Sequence, residues 1–299
     1  IAEAYKKRGN KVITSNIEHP SVADSFKELE ARGFEVVTLN ADEKGYINLE
    51  ELEREVDENT ILVSIMYVNN EVGTVQPIEK MAEIIKSKNK NCIFHTDCVQ
   101  AFGKHPINGK HFDAISVSGH KIHCPKGVGV LYLRKGVRAK NLHFGGGQEK
   151  GFRPGTENTG SIVAMGLGAE IAKRDLEKNF EKVKAVKEKL MTICDILPDV
   201  YVNGDSENGS PYILNLSFEG VKGEVLLHAL ENYEIYVATG SACSSRAKEK
   251  KKIVDYLIDG RGSSTVRFSF DCENTVEEAE KAIEVLKEQV PMLRMFQPR

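Results

Sequence analysis

Two rhythms of apolar and polar positions alternate along the first half of the chain. Short apolar runs at residues 12–14, 34–39, 61–68, 92–96, 112–117 and 128–133 read as strands. Between them, Val22, Phe26 and Leu29 share one helical face, and Gly33 is placed to cap that helix. Leu49, Leu52 and Val56 mark a second helix, and Met81, Ile84 and Ile85 a third. The run 61–68 is continuously apolar, as expected of a strand covered on both faces. Strands and helices in alternation predict an α/β fold with a mostly parallel sheet. Ligands of such sheets gather at the carboxyl ends of the strands. Asn70, Asp97 and Ser118 fall at or just past those ends, with Lys121 a little further on.

From Ser161 the pattern changes. A charged helical stretch over 162–197 leads to predicted strands at 213–218, 235–238 and 266–270. Helices are expected at 224–230 and 275–289, the last opening on a Thr275/Glu278 capping box. This predicts a large sheet domain over residues 1–178 and a smaller C-terminal α+β domain over 179–299.

Charge narrows the range of functions. Lys and Arg number 41 against 44 Asp and Glu, a net charge of −3, so no global field favours nucleic acid or an anionic membrane. No apolar run reaches transmembrane length, and the first residues do not resemble a signal peptide. The six cysteines show no paired spacing, which points to reduced cytoplasmic thiols rather than a disulfide frame or a metal centre. The opening Ile1-Ala2-Glu3-Ala4-Tyr5 reads as the tail of a helix and lacks a starting Met, so a preceding segment is expected.

Candidate chemistry concentrates in the turn that follows the strand 112–117. Lys121, between His120 and Ile122, is a lysine that partial desolvation would make a nucleophile toward an aldehyde, unless it is an ordinary solvated side chain. Asp97 is placed to face a ring nitrogen, and His19, ahead of Pro20, offers a flat face for stacking. Gly145-Gly146-Gly147-Gln148 and Arg153-Pro154-Gly155-Thr156 form a loop whose amides would suit an anion. Cys243 has small neighbours, Gly240-Ser241-Ala242 before it and Ser244-Ser245 after it, which favours exposure over the usual buried role of a free thiol. The basic run at 246–252 is either a solvated cluster or a collar that steers an acidic partner.

In register, these motifs resemble one family across essentially the whole chain. Ser118-Gly119-His120-Lys121 with Pro125-Lys126-Gly127-Val128-Gly129 is similar to the signature of cysteine desulfurases of the NifS/IscS type. Ile17-Glu18-His19, Asn69-Asn70-Glu71-Val72-Gly73, His95-Thr96-Asp97-Cys98-Val99-Gln100 and Val266-Arg267-Phe268-Ser269 accompany it in the same order. The resemblance implies a homodimeric pyridoxal 5′-phosphate (PLP) enzyme of the aspartate-aminotransferase-like fold (fold type I). Lys121 would hold PLP covalently, His19 would stack on its ring and serve as the candidate base for the Cys243 thiol, and Asp97 would pair with the ring nitrogen. Asn70 and Gln100 would hold the phenolic oxygen, Ser118 and His120 the phosphate, and Thr156 the phosphate in the partner subunit. Arg267, with Asn70, would bind the carboxylate of L-cysteine. Cys243 would take the sulfur as a persulfide, leaving alanine, and pass it to an acceptor protein for iron–sulfur cluster assembly or for thiolation of tRNA or cofactors. Two departures stand out. Cys124 replaces the family's glycine before Pro125, and the family's N-terminal Asn-Ala-Ala-Thr-Thr and Gly-Ala-Thr-Glu stretches are absent from these residues. Two other readings stay open: a lyase or transaminase of the same fold that does not use Cys243, or a non-catalytic sulfur carrier or scaffold.

Overall fold

The computed structural model describes residues 1–239, 254, 257 and 262–296. They fall into two compact units. The first comprises Ile1–Asn40, Ile47–Val68 and Gln76–Leu176; the second gathers Ala41–Tyr46, Asn69–Val75 and the chain from Glu177 onward.

The first unit is built on a six-stranded sheet. Its strands are β1 (Lys11–Ser15), β2 (Glu35–Leu39), β3 (Thr60–Ser64), β4 (Ile93–Asp97), β5 (Ala114–Ser118) and β6 (Gly129–Leu133), in the order β2-β1-β3-β4-β5-β6. Neighbours are parallel except β5 and β6, which pair antiparallel across the connection 119–128 that carries Lys121. The expected helices follow the strands: α2 (Pro20–Ala31), α3 (Leu49–Glu55) and α4 (Ile78–Lys88), after a short α1 (Ala2–Tyr5). Every residue of β1 and β3 is buried. Val12, Phe26, Phe34, Leu62 and Ile93 form one apolar cluster that ties α2 to the sheet. Gly33 ends α2 as predicted, with a left-handed φ of 83° and the Phe34 N–H returning to Leu29 O at 3.1 Å.

The predicted strand over 61–68 stops at Ser64, because β1 pairs with it only as far as Val63. Beyond that point one side still bonds: Ile65 N–H reaches His95 O and Tyr67 N–H reaches Asp97 O. The apolar run reported burial correctly and pairing too generously. The expected helical stretch over 162–197 is likewise three helices: α5 (Thr159–Arg174), α6 (Leu176–Met191) and α7 (Ile193–Ile196). Asp175 closes α5, its N–H bonded to Ile171 O, and Asn158 starts it by accepting from Ser161 N–H.

The second unit holds a three-stranded antiparallel sheet, β7 (Val200–Asn203), β8 (Ile213–Phe218) and β9 (Thr265–Ser269), in that order. It packs with α8 (Gly223–Glu231) and α9 (Val276–Met295) around Leu216, Phe218, Leu226, Val266 and Leu286. Both bonds of the Thr275/Glu278 capping box are present, a device typically worth about 1 kcal/mol. The strand expected at 235–238 does not form. Glu234 turns left-handed (φ 60°) and Ile235 N–H closes back on Leu230 O, so only Ala238 meets β9, in a single bridge to Arg267. No described helix is long and apolar enough to cross a membrane.

Candidate active site

In the first unit, three strand ends carry most of the predicted site. At the exit of β1, the chain passes through Asn16-Ile17-Glu18 to His19, which caps α2 with its own ring. His19 Nδ1 accepts from Ser21 N–H at 3.2 Å and lies 2.8 Å from Ser21 Oγ. Glu18 is buried. Its Oε1 accepts from Ser15 Oγ at 2.6 Å and from Met66 N–H at 2.8 Å, while Oε2 has no partner among the described residues. Burial pushes the Glu18 carboxyl up to about 8, against the pull of those two bonds. Glu18 therefore holds its proton at neutral pH.

The folded Glu18 carboxyl keeps its proton up to about pH 8, whereas its ordinary value is 4.5. The stability it contributes is complete in acid and is lost as pH rises through that window. Glu18→Gln keeps an acceptor for Ser15 and Met66 but cannot ionise. It should therefore gain on the wild type between pH 5 and pH 9 by more than about 1 kcal/mol, read from urea midpoints. An unchanged difference at the two pH values would show that Glu18 does not titrate there.

Asp97 ends β4. Its Oδ1 accepts from Val99 N–H at 2.8 Å, and its other oxygen accepts from no described residue. Burial raises its pKa, opposed by the Val99 amide and by the nearby His19. Two residues earlier on the same face, His95 bridges its neighbours. Ser64 Oγ lies 2.7 Å from its Nδ1 and Ser116 Oγ 2.9 Å from its Nε2, a side-chain chain across β3, β4 and β5. Desolvation holds the His95 ring neutral, with its pKa pushed down to about 4. Gln100 lies just beyond, in the turn after β4, and its Oε1 accepts from Lys104 Nζ at 3.3 Å.

Ser118 ends β5 and starts the single helical turn Gly119–Ile122 that holds His120 and Lys121. Ser118 Oγ and His120 Nδ1 lie 2.7 Å apart, and burial, Lys121 and Lys126 together lower the His120 pKa. The turn has no room for a side chain at Gly119, where a Cβ would meet Val128 Cγ1 at 2.8 Å. It does accommodate Cys124, whose thiol seats between Ile122 O and Ala164 O, each at 3.5 Å. Gly168 of α5 makes the space, since a Cβ there would stand 2.3 Å from Cys124 Sγ.

Two predicted residues belong to the second unit. Arg267 on β9 donates from Nη1 to Asn70 O at 3.0 Å. Its Nε and the Asn70 Oδ1 are buried without partners among the described residues. Burial lowers the Arg267 pKa, with Glu71 opposing. Thr156 stands apart, exposed on the loop between β6 and α5, and in that loop Gly155 N–H is bonded to Gln148 Oε1 at 3.2 Å. Cys243 and the basic run at 246–252 lie outside the described residues. Sequence reasoning assigned no role to Glu18 or to His95. The available signal for both was an ionisable side chain set in an apolar strand or strand exit.

Residues 1–282 match the family described as aminotransferase class-V. The chain belongs to that family. Among class-V relatives, it is 41% identical over 304 residues to the cysteine desulfurase IscS of Pectobacterium carotovorum, covering 100% of this chain and 74% of that protein. It is 38% identical over 305 residues to the cysteine desulfurase IscS of Clostridium botulinum, covering 100% and 76%. A solved NifS-like protein superposes with a TM-score of 0.90 at 38% identity, over 98% of this chain and 78% of that one. The parallel sheet with one antiparallel edge is thus the fold-type I sheet of the class-V enzymes, whose cofactor is PLP. The first unit fits that cofactor. Asp97 is a buried carboxyl with one oxygen uncommitted, and burial leaves it in need of a cationic N–H such as a protonated pyridine provides. Among the described residues, no cluster suits a metal ion.

Proposed function

We propose that this chain is a PLP-dependent cysteine desulfurase that converts L-cysteine to L-alanine and passes the sulfur, as a persulfide on Cys243, to an acceptor protein. The observation that carries the reading is the half-committed, buried Asp97 carboxyl at a strand end one strand from the Lys121 turn. Bound there, PLP would supply the electron sink for the substrate's bond-breaking steps. Lys121 would hold the cofactor, and Asp97 would keep a proton on the ring nitrogen through a charge-assisted bond. Ser118 and His120 would bind the phosphate, with Thr156 serving the partner subunit's site. Gln100 and Asn70 would hold the phenolic oxygen. Arg267, its Nη1 tied to Asn70 O, would offer its uncommitted Nε edge to the substrate carboxylate.

The thiol inventory supports Cys243 as the sulfur carrier. Burial raises the pKa of all five described cysteines, Cys92, Cys98, Cys124, Cys194 and Cys272, which makes each a poor nucleophile. After treatment with L-cysteine, mass spectrometry should find one added sulfur, about 32 Da, on the Cys243 peptide, with alanine formed alongside. Added sulfur on Cys98 or Cys124 instead would overturn the assignment.

The chain works as a cytoplasmic homodimer in this reading, delivering sulfur to iron–sulfur cluster assembly or to a thiolation enzyme. Val163, Leu167 and Ile171 form an exposed stripe at i, i+4 and i+8 on α5, and Val130, Leu131 and Tyr132 are exposed on β6. Apolar side chains of that size at helical spacing suit a second copy of the chain. Light scattering should give twice the chain mass, and a monomer at micromolar concentration would exclude the dimer.

A further inference from the structure

We propose that Ser21 is a positioning residue that fixes His19 as the tautomer carrying its proton on Nε2, so that the neutral ring offers a donor there and not a base. Pro20 occupies the first helical position of α2 and has no N–H, so Ser21 supplies the first free backbone donor of the helix. His19 is extended (φ −61°, ψ 147°) and turns its ring back over that turn. Its Nδ1 receives the Ser21 N–H at 3.2 Å.

A backbone amide can only donate. The nitrogen that receives it must carry a lone pair, so the proton of the neutral ring sits on the other nitrogen, Nε2. The Ser21 hydroxyl, 2.8 Å from the same Nδ1, can rotate to donate as well, and both contacts then enforce one tautomer. Within an imidazole the two nitrogens point in nearly opposite directions, so Nε2–H is directed away from the helix end.

This inference rests on the proposed desulfurase reading only for what the ring faces, namely the cofactor and substrate beside Asp97. A ring held this way offers its Nε2–H as a hydrogen-bond donor and keeps that proton. It cannot start as a proton acceptor at Nδ1 without turning away from Ser21. The group that first accepts the substrate's proton is therefore one other than neutral His19. The base expected from the sequence for the Cys243 thiol meets the same constraint, because Nδ1 is held by Ser21 and Nε2 carries the proton.

The test reads the ring itself. In the PLP-loaded protein labelled with nitrogen-15 histidine, His19 is assigned by the signals lost in His19→Asn. Nδ1 should then give a pyridine-type resonance and Nε2 a pyrrole-type one. Ser21→Ala keeps the backbone donor and should keep that pattern. Ser21→Pro removes both donors at a position where the first helical turn tolerates proline, and should shift both resonances toward the tautomer average. A pyrrole-type Nδ1 in the wild type, or an unchanged pattern in a folded Ser21→Pro, overturns the proposal. If Ser21→Pro does not fold, the Ser21 amide decides: its hydrogen exchange should be slower in the wild type than in His19→Leu, and equal rates overturn the proposal. None of these signals depends on turnover. An Nε2–H ring in a protein inactive toward L-cysteine would sink the proposed function and leave this inference standing.

Discussion

Cys243→Ser is expected to stop sulfur release from L-cysteine while leaving the protein able to bind PLP. The cofactor contacts proposed here lie at the ends of β4 and β5, at the exit of β1, at Asn70 and at Thr156, none of them at residue 243. A serine hydroxyl is a weak nucleophile toward sulfur and cannot form a persulfide, so turnover should fall by about 10³-fold or more. A free thiol with an ordinary pKa is only a few per cent ionised near neutrality, so part of the wild-type rate depends on a neighbouring group that removes its proton. Sulfide and alanine assays on the two proteins, each with its PLP absorbance recorded, separate lost chemistry from lost cofactor. A serine variant that still releases sulfur would return the chain to the alternative of a fold-type I enzyme that does not use this cysteine.

The second large effect is expected at Lys121. Lys121→Ala should remove both the visible absorbance of bound cofactor and all turnover. The turn Gly119–Ile122 holds Lys121 half-buried next to the buried Ile122, while Lys126, beyond that turn, is exposed. Partial desolvation is what makes a lysine amine available for covalent work. Lys126→Ala is the control, and it should keep the absorbance. If Lys126→Ala lost the absorbance and Lys121→Ala kept it, the assignment would be reversed.

The strand-end residues were legible because α/β alternation fixes where chemistry can gather. Asp97 and Ser118 needed only the strands that precede them, and each proved to be the last residue of its strand. Glu18 was not legible in the same way. Its burial depends on Met66, 48 positions along, whose amide reaches it only after the chain has left β3. His95 depends likewise on Ser64 and Ser116 from two other strands. Local pattern also overran its limits where a single residue breaks an element. Asp175 and Glu234 turned an expected long helix into segments and an expected strand into one bridge. The resemblance filled in much of what pattern alone left open, since it supplied roles for Arg267 and Asn70 before any hydrogen bond joined them.

The make-up of the second unit bears on how the halves of this chain can be studied. Its short segments Ala41–Tyr46 and Asn69–Val75 are encoded well before the rest of it. Tyr46 Oη donates to Asp205, Glu71 O accepts from Asn215, and Gly73 O accepts from Ser210 N–H. A fragment ending at Leu176 would therefore carry two loops stripped of the side chains and amides that satisfy them. Separate expression of the two halves would yield neither as a native part, and a single protease cut at that junction would leave them joined by their own hydrogen bonds.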